Sequence, residues 1–166
     1  MTTPSFSRKT SALLLQASKL CDRRGAQLTD LRRKVLGLVL ESKKPTGAYD
    51  LLDQLRVLHK GAAPPTVYRA LDFLLEQGFI HKVERLSAFV GCVHRHDADH
   101  DYHHAVQFLI CKRCGQVTEL EDPRIDKVLI DAAHEIGFRL TSSTVEAEGL
   151  CAPCAAEAPD AAVTMN

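Results

Sequence analysis

Residues 64–93 read PPTVYRALDFLLEQGFIHKVERLSAFVGCV, and the period of their apolar positions changes part-way along. Pro64 and Pro65 fix the start of a helix, and Gly78 supplies its C-terminal stop. Between them Val67, Leu71, Leu74 and Leu75 recur at helical spacing and face inward. Thr66, Tyr68, Arg69 and Asp72 are left mostly outward near the helix start. After Gly78 the pattern becomes that of two short strands around a turn near Leu86–Ser87.

Helices precede this stretch. SALLLQASKLC (residues 11–21) places Leu13, Leu14, Ala17, Leu20 and Cys21 on one helical face. LTDLRRKVLGLVLES (residues 28–42) follows, with Thr29 as N-cap and Leu31, Val35, Leu38 and Val39 as its apolar stripe. TGAYDLLDQLRVLH (residues 46–59) repeats the pattern with Leu51, Leu52, Leu55 and Leu58. Helices followed by a β-hairpin make a winged helix-turn-helix. In that arrangement the second helix of the turn motif enters the major groove, its N-terminal residues reaching base edges. Arg69 can then give two hydrogen bonds to guanine, and Tyr68 can pack on a thymine methyl or donate to a base or phosphate. The competing reading pairs Arg69 with Asp72 at i,i+3 and makes Tyr68 a cap on the core. Winged helices also bind proteins, so the pattern is not decisive alone.

Charge favours nucleic acid. The 166 residues carry no formal net charge, yet residues 1–85 hold 15 of the 21 Lys and Arg and only 8 of the 21 Asp and Glu. The remainder is acidic, which suggests a basic module joined to an acidic one. No run approaches the roughly 20 apolar residues that span a membrane. The N-terminal patch ALLL (residues 12–15) is too short for a secretory signal. A cytoplasmic chain is expected. There thiols stay reduced, and paired cysteines bind metal or do catalysis more often than they staple a fold.

Two such pairs are present. FLICKRCGQVTE (residues 108–119) contains Cys111 and Cys114, and GLCAPCAAE (residues 149–157) contains Cys151 and Cys154. A redox Cys-x-x-Cys usually acts alone at the head of a helix. Two pairs beside turn residues such as Gly115 and Pro153 have the layout of a closed four-cysteine structural zinc site.

The helix-two pattern LT..R..VL, the segment from Pro64 to Cys92, and the two knuckles resemble the ferric uptake regulator (Fur) superfamily. Within it they are most similar to the zinc-uptake (Zur) branch. The resemblance runs from about Leu13 to Cys154. It implies an α+β protein with an N-terminal winged-helix domain and a C-terminal α/β dimerisation domain. It also implies a homodimer that binds an inverted-repeat operator in double-stranded DNA and represses zinc-uptake genes, with zinc as corepressor. The domains are expected at 1–90 and 91–155, with a disordered tail at 156–166.

A second metal site can be read outside the knuckles. His81 lies on the first wing strand and Cys92 on the second; His104 precedes the first knuckle by seven residues, and Glu119 follows it by five. These four supply N, S, N and O ligands, enough for a tetrahedral zinc shell, and the resemblance implies the same positions as the sensing site. Two zinc ions per protomer are therefore expected, one structural and one regulatory. A thiolate shifts preference towards zinc, so Cys92 argues against an iron- or peroxide-responsive regulator, the nearest alternative. A thiol-disulfide switch is the other. Many superfamily members carry a further metal site just before the first knuckle. Here those positions read AVQFLIC (residues 105–111), with Ala105, Gln107 and Phe108, and that site is not expected. HRHDADHDYHH (residues 94–104) holds five of the eight histidines and reads either as a loop that binds extra zinc weakly or as a solvated insertion in which only His104 is a ligand.

An enzyme is not expected. A catalytic zinc keeps one position open, whereas both sites here use four protein ligands. No phosphate-binding glycine loop, nucleophile elbow or H-E-x-x-H occurs. In the acidic half, residues 108–114 and 116–121 read as strands, 123–137 as a helix and 138–150 as a further strand.

Overall fold

The computed structural model describes residues 6–92 and 106–157. The histidine-rich segment, His104 and nearly all of the expected tail lie outside the described residues. Contacts divide the chain into two units, residues 1–102 and 103–166.

The first unit opens with α1 (Arg8–Arg23), capped by Ser7, whose hydroxyl accepts from the Thr10 N–H at 3.2 Å. Thr29 caps α2 (Asp30–Glu41) as its sequence position predicts, accepting from the Arg32 N–H at 3.4 Å. Strand β1 (Thr46–Gly47) leads into α3 (Ala48–Leu58), and α4 (Pro64–Glu76) follows with proline in its first turn. Strands β2 (Ile80–Val83) and β3 (Ala88–Gly91) form the wing. They are joined by a 3-10 turn at Glu84–Leu86, with Ser87 in the left-handed region at φ 47°. The sheet order is β1-β3-β2, all antiparallel. Because β3 runs to Gly91, the wing sheet extends one residue past the domain end expected at 90.

One continuous core holds these helices. Leu14, Leu20, Val35, Leu36, Leu51, Leu55, Val67, Leu71 and Leu74 are fully buried within it, with Phe79, Ile80 and Phe89 added from the wing. Cys21 is buried here too, as a small apolar side chain. Gly37 leaves room for the Phe6 ring on α2, which a Cβ there would displace. The Arg32 guanidinium sits 3.7 Å above the centre of the Phe73 ring, a cation–π contact joining α2 to α4.

The second unit contains β4 (Val106–Cys111), β5 (Val117–Leu120), α5 (Pro123–Glu135), β6 (Thr144–Gly149) and the short α6 (Ala152–Ala156). The order is β5-β4-β6, with β5 antiparallel and β6 parallel to β4. The strand expected over 138–150 is confined to its second half. Gly137 at φ 73° ends the helix, and pairing with β4 begins only at Thr144 opposite Val106. Among the described residues of this unit only Gln107, Phe108, Ile110 and Cys111 are buried.

The first unit has a continuous apolar core, so truncating it is costly. Leu74 on α4 is 0% exposed, and Leu74→Ala is expected to destabilise the fold by about 2–5 kcal/mol in urea unfolding. A loss below about 1 kcal/mol would show that α4 is not seated on this core.

Candidate functional site

The four knuckle cysteines come from three places in the second unit. Cys111 ends β4, and its carbonyl accepts from the Gly115 N–H at 2.9 Å, closing a turn that carries Cys114. Gly115 takes φ 72°, a conformation that a side chain would strain. Cys151 caps α6 and Cys154 lies in its first turn. The parallel β4–β6 ladder, extended by the Lys112 N–H bonding the Gly149 carbonyl at 2.9 Å, brings Cys151 back to the turn. Arg113 reaches across, donating to the Cys154 carbonyl at 3.2 Å and pairing with Glu157 at 3.1 Å.

All four Sγ atoms lie within 4.8 Å of one another. The Cys114–Cys151 separation is 3.7 Å. A tetrahedron with zinc–sulfur bonds of about 2.3 Å has edges of about 3.8 Å, so the cage has the dimensions of a four-thiolate zinc site. None of the six cysteines forms a disulfide among the described residues. N–H groups of Cys151 and then Cys114 point at the Cys111 sulfur and lower its pKa to about 6. Cys154 is pushed up to about 12, first by hydrogen bonding with the Cys151 thiol and then by burial. Hydrogen bonding thus favours the thiolate at Cys111 and the thiol at Cys154.

In the first unit the wing register sets the second group. His81 faces Val90 across the β2–β3 ladder, and the Cys92 N–H continues it by donating to the Phe79 carbonyl at 3.0 Å. Cys92 is two residues beyond Val90, so it shares a face with His81 as a diagonal neighbour. Their ligand atoms lie within 4.8 Å of each other; Cys92 is buried and His81 half-buried. In the second unit Glu119 is half-buried on β5, opposite Phe108.

On α4 the helix turns as its sequence predicts. Val67, Ala70, Leu71 and Leu74 are buried, while Tyr68 and Arg69 are exposed in the first turns. Arg69 and Asp72 form no ion pair among the described residues, so the structural alternative for Arg69 has no support. Thr66, expected outward, is half covered. Tyr49 escaped the sequence reading because it sits inside an apolar helical pattern. It is 68% exposed in the first turn of α3, just after the exposed Lys43 and Lys44.

A model of the ferric uptake regulator family matches residues 23–148. The chain belongs to the ferric uptake regulator family. It is 46% identical over 145 residues to the zinc uptake regulation protein of Escherichia coli (strain K12), covering 87% of this chain and 82% of that one. A solved zinc uptake regulator complexed with zinc and DNA matches with TM-score 0.84 and 43% identity, over 92% of this chain and 99% of that chain. The holo form of XcZur matches with TM-score 0.78 and 45% identity, over 87% of this chain and 98% of that chain. The α+β architecture, a winged helix followed by an α/β unit, is that of the family. No helix among the described residues is long and apolar enough to cross a membrane.

Metal binding at the cage has a pH signature. Because the Cys154 thiol is held up to about 12, it must lose its proton to become a ligand. Adding zinc to metal-free protein at about pH 7.5 is expected to release protons, and apparent zinc affinity to rise between about pH 6.5 and 8.5. Cys111→Ser should remove this response and prevent stable folding of the second unit. An affinity independent of pH, or a normally melting, dimeric Cys111→Ser protein, would contradict the assignment.

Proposed function

We propose that this chain is a zinc-responsive, DNA-binding transcriptional repressor of zinc-uptake genes, acting in the cytoplasm as a homodimer on an inverted-repeat operator. It is a regulator and not an enzyme. The observation that carries the zinc reading is the pairing of the Cys92 sulfur with the His81 imidazole on one face of the wing. A thiolate in the sensing set favours zinc over the iron or manganese of nitrogen-and-oxygen sites. The resemblance to zinc uptake regulators, one of them solved with zinc and DNA, supports the same choice.

In this reading two zinc ions bind per protomer. Cys111, Cys114, Cys151 and Cys154 hold the structural ion, and His81, Cys92, His104 and Glu119 the regulatory one. Bound zinc supplies a coordinate crosslink and contributes binding free energy to whichever arrangement assembles its donors. His81 and Cys92 belong to the winged-helix half of the chain, and Glu119 to the other. Donors that must act together therefore restrict how the two halves move. Restricting them sets the spacing of the two recognition helices in a dimer, which must suit half-sites about 34–36 Å apart or a multiple. Linkage requires that operator DNA tighten zinc binding in return.

Homodimerisation is supported by the thin core of the second unit and its exposed apolar residues. Val128 is 66% exposed, Ile130 56%, Ile136 81% and Phe138 60%. Thr66, Tyr68 and Arg69 are the proposed operator contacts on α4, with Tyr49 added from α3. A thiol-disulfide switch is the second reading, since the Cys114 and Cys151 sulfurs are adjacent. It requires oxidation, not chelation, to release DNA.

Two variants test the proposal. Arg69→Ala is expected to weaken specific operator binding by about 1–3 kcal/mol and relax preference at one base pair per half-site. An equal loss on operator and random DNA would make Arg69 a phosphate contact instead. Cys92→Ser should retain one zinc per protomer and the dimer but lose zinc-dependent operator binding, read by elemental analysis and titration at fixed salt. Full zinc content with full zinc-responsive binding in Cys92→Ser would remove this residue from the site.

A further inference from the structure

Gln107 lies on β4, the central strand of the second sheet, and is only 2% exposed. Its amide is used at both ends. Nε2 donates to the Asp122 carbonyl at 2.9 Å and to Asp126 Oδ1 at 3.1 Å, while Oε1 accepts from the Asp122 N–H at 3.3 Å. Asp122 is the N-cap of α5, and Asp126 lies in its first turn. The side chain thus pairs with residue 122 as a peptide group in a neighbouring strand would, and grips the first helical turn as well. That grip matters because α5 buries none of its residues fully. Helices are usually seated by apolar burial. Here Val128 and Ile130 face solvent, and a satisfied buried amide anchors the helix start.

We propose that Gln107 is a positioning residue for self-association, fixing the start of α5 on the sheet and so setting the apolar face that this helix offers to a second copy of the chain. The proposal rests on the homodimer reading above. Leucine at 107 would fill the space but leave the Asp122 N–H and carbonyl without their buried partner. Glutamate would keep the shape and lose the donor when ionised.

The glutamate variant has a defined pH behaviour. Of the charged side chains at the start of α5, Asp126 bonds the Gln107 amide directly, and the N-cap Asp122, which bonds it through its backbone, is paired with Arg124. The Arg124 guanidinium holds the Asp122 carboxyl at about 2, so Asp122 stays ionised across the working range. A carboxyl introduced at 107, buried beside two others, has a pKa raised in the folded state. It can donate a hydrogen bond when protonated, so its stabilising contacts are present at low pH and lost as pH rises through that pKa.

The test uses the full zinc-loaded chain. Amide hydrogen exchange in the first turns of α5 and the dimer dissociation constant by sedimentation equilibrium are measured for wild type, Gln107→Leu and Gln107→Glu. Elemental analysis must show the cysteine cage filled in each. Gln107→Leu is expected to speed α5 exchange and weaken the dimer, each by about tenfold or more, the scale of one or two buried hydrogen bonds. Gln107→Glu should behave like wild type at about pH 5 and like Gln107→Leu at about pH 8. Wild-type exchange in Gln107→Leu, or a Gln107→Glu protein matching wild type at both pH values, overturns the role of Gln107 alone. A monomeric wild type overturns the self-association part together with the homodimer reading.

Discussion

Four sulfurs within 4.8 Å of one another gather in the part of the chain that buries least among the described residues. Among the described residues of the second unit only Gln107, Phe108, Ile110 and Cys111 are buried, and one of these is itself a cage cysteine. A core that small cannot offset the conformational entropy of ordering the unit, and small domains of this kind depend on a metal, a crosslink or a partner. The cage is placed to supply the first of these. With the proposed ion bound, it would join the end of β4, the turn into β5 and the start of α6, and so pin the C-terminal ends of the parallel β4–β6 pair. Parallel pairing is non-local, since α5 intervenes, and closing it costs chain entropy that local turns do not. The cage offsets that cost at one point.

The two proposed metal sites suit different tasks because their donors differ. Four thiolates on turns of a single unit form a closed set, suited to an ion that stays. A mixed set that begins with one imidazole and one thiolate on the wing forms only when separate parts of the chain cooperate. Its occupancy can therefore follow the supply of free zinc. The winged-helix unit has its own extensive core, so the proposed regulatory ion is assigned to licensing operator binding and not to folding that unit. Tyr68 and Arg69 are exposed on α4, where the proposed operator contacts lie. In the proposed reading, zinc changes the fraction of molecules whose two such helices are correctly spaced.

Much of this was legible in the sequence wherever a local rule decides. Thr29 reads as an N-cap and is one; Pro64 starts α4; Leu71 and Leu74 are buried, Leu75 is half-buried, and Arg69 is outward. The knuckle spacing indicates a four-thiol cage because two-residue gaps at turns leave few other uses for cysteine in a reducing compartment. Features that depend on distant pairing were not legible. Strand β1 is two residues long and exists only because Thr46 and Gly47 pair with β3. The parallel alignment of β6 with β4 has no local signature, and neither does the adjacency of Cys114 and Cys151 that follows from it. Tyr49 was masked by the apolar period of its own helix, and Gln107 by looking like one polar residue in a strand. Both became visible once exposure and hydrogen bonding were known.

The central claim is that zinc acts at two separable levels, holding the second unit together and licensing operator binding. It is tested most directly by titrating wild-type protein with operator DNA across buffered free-zinc levels at fixed salt under reducing conditions, with bound zinc counted at each level. Operator affinity should rise steeply as occupancy climbs from one to two zinc ions per protomer, while the dimer persists throughout. Operator affinity that is flat across that range, or that changes only on thiol oxidation, would contradict it.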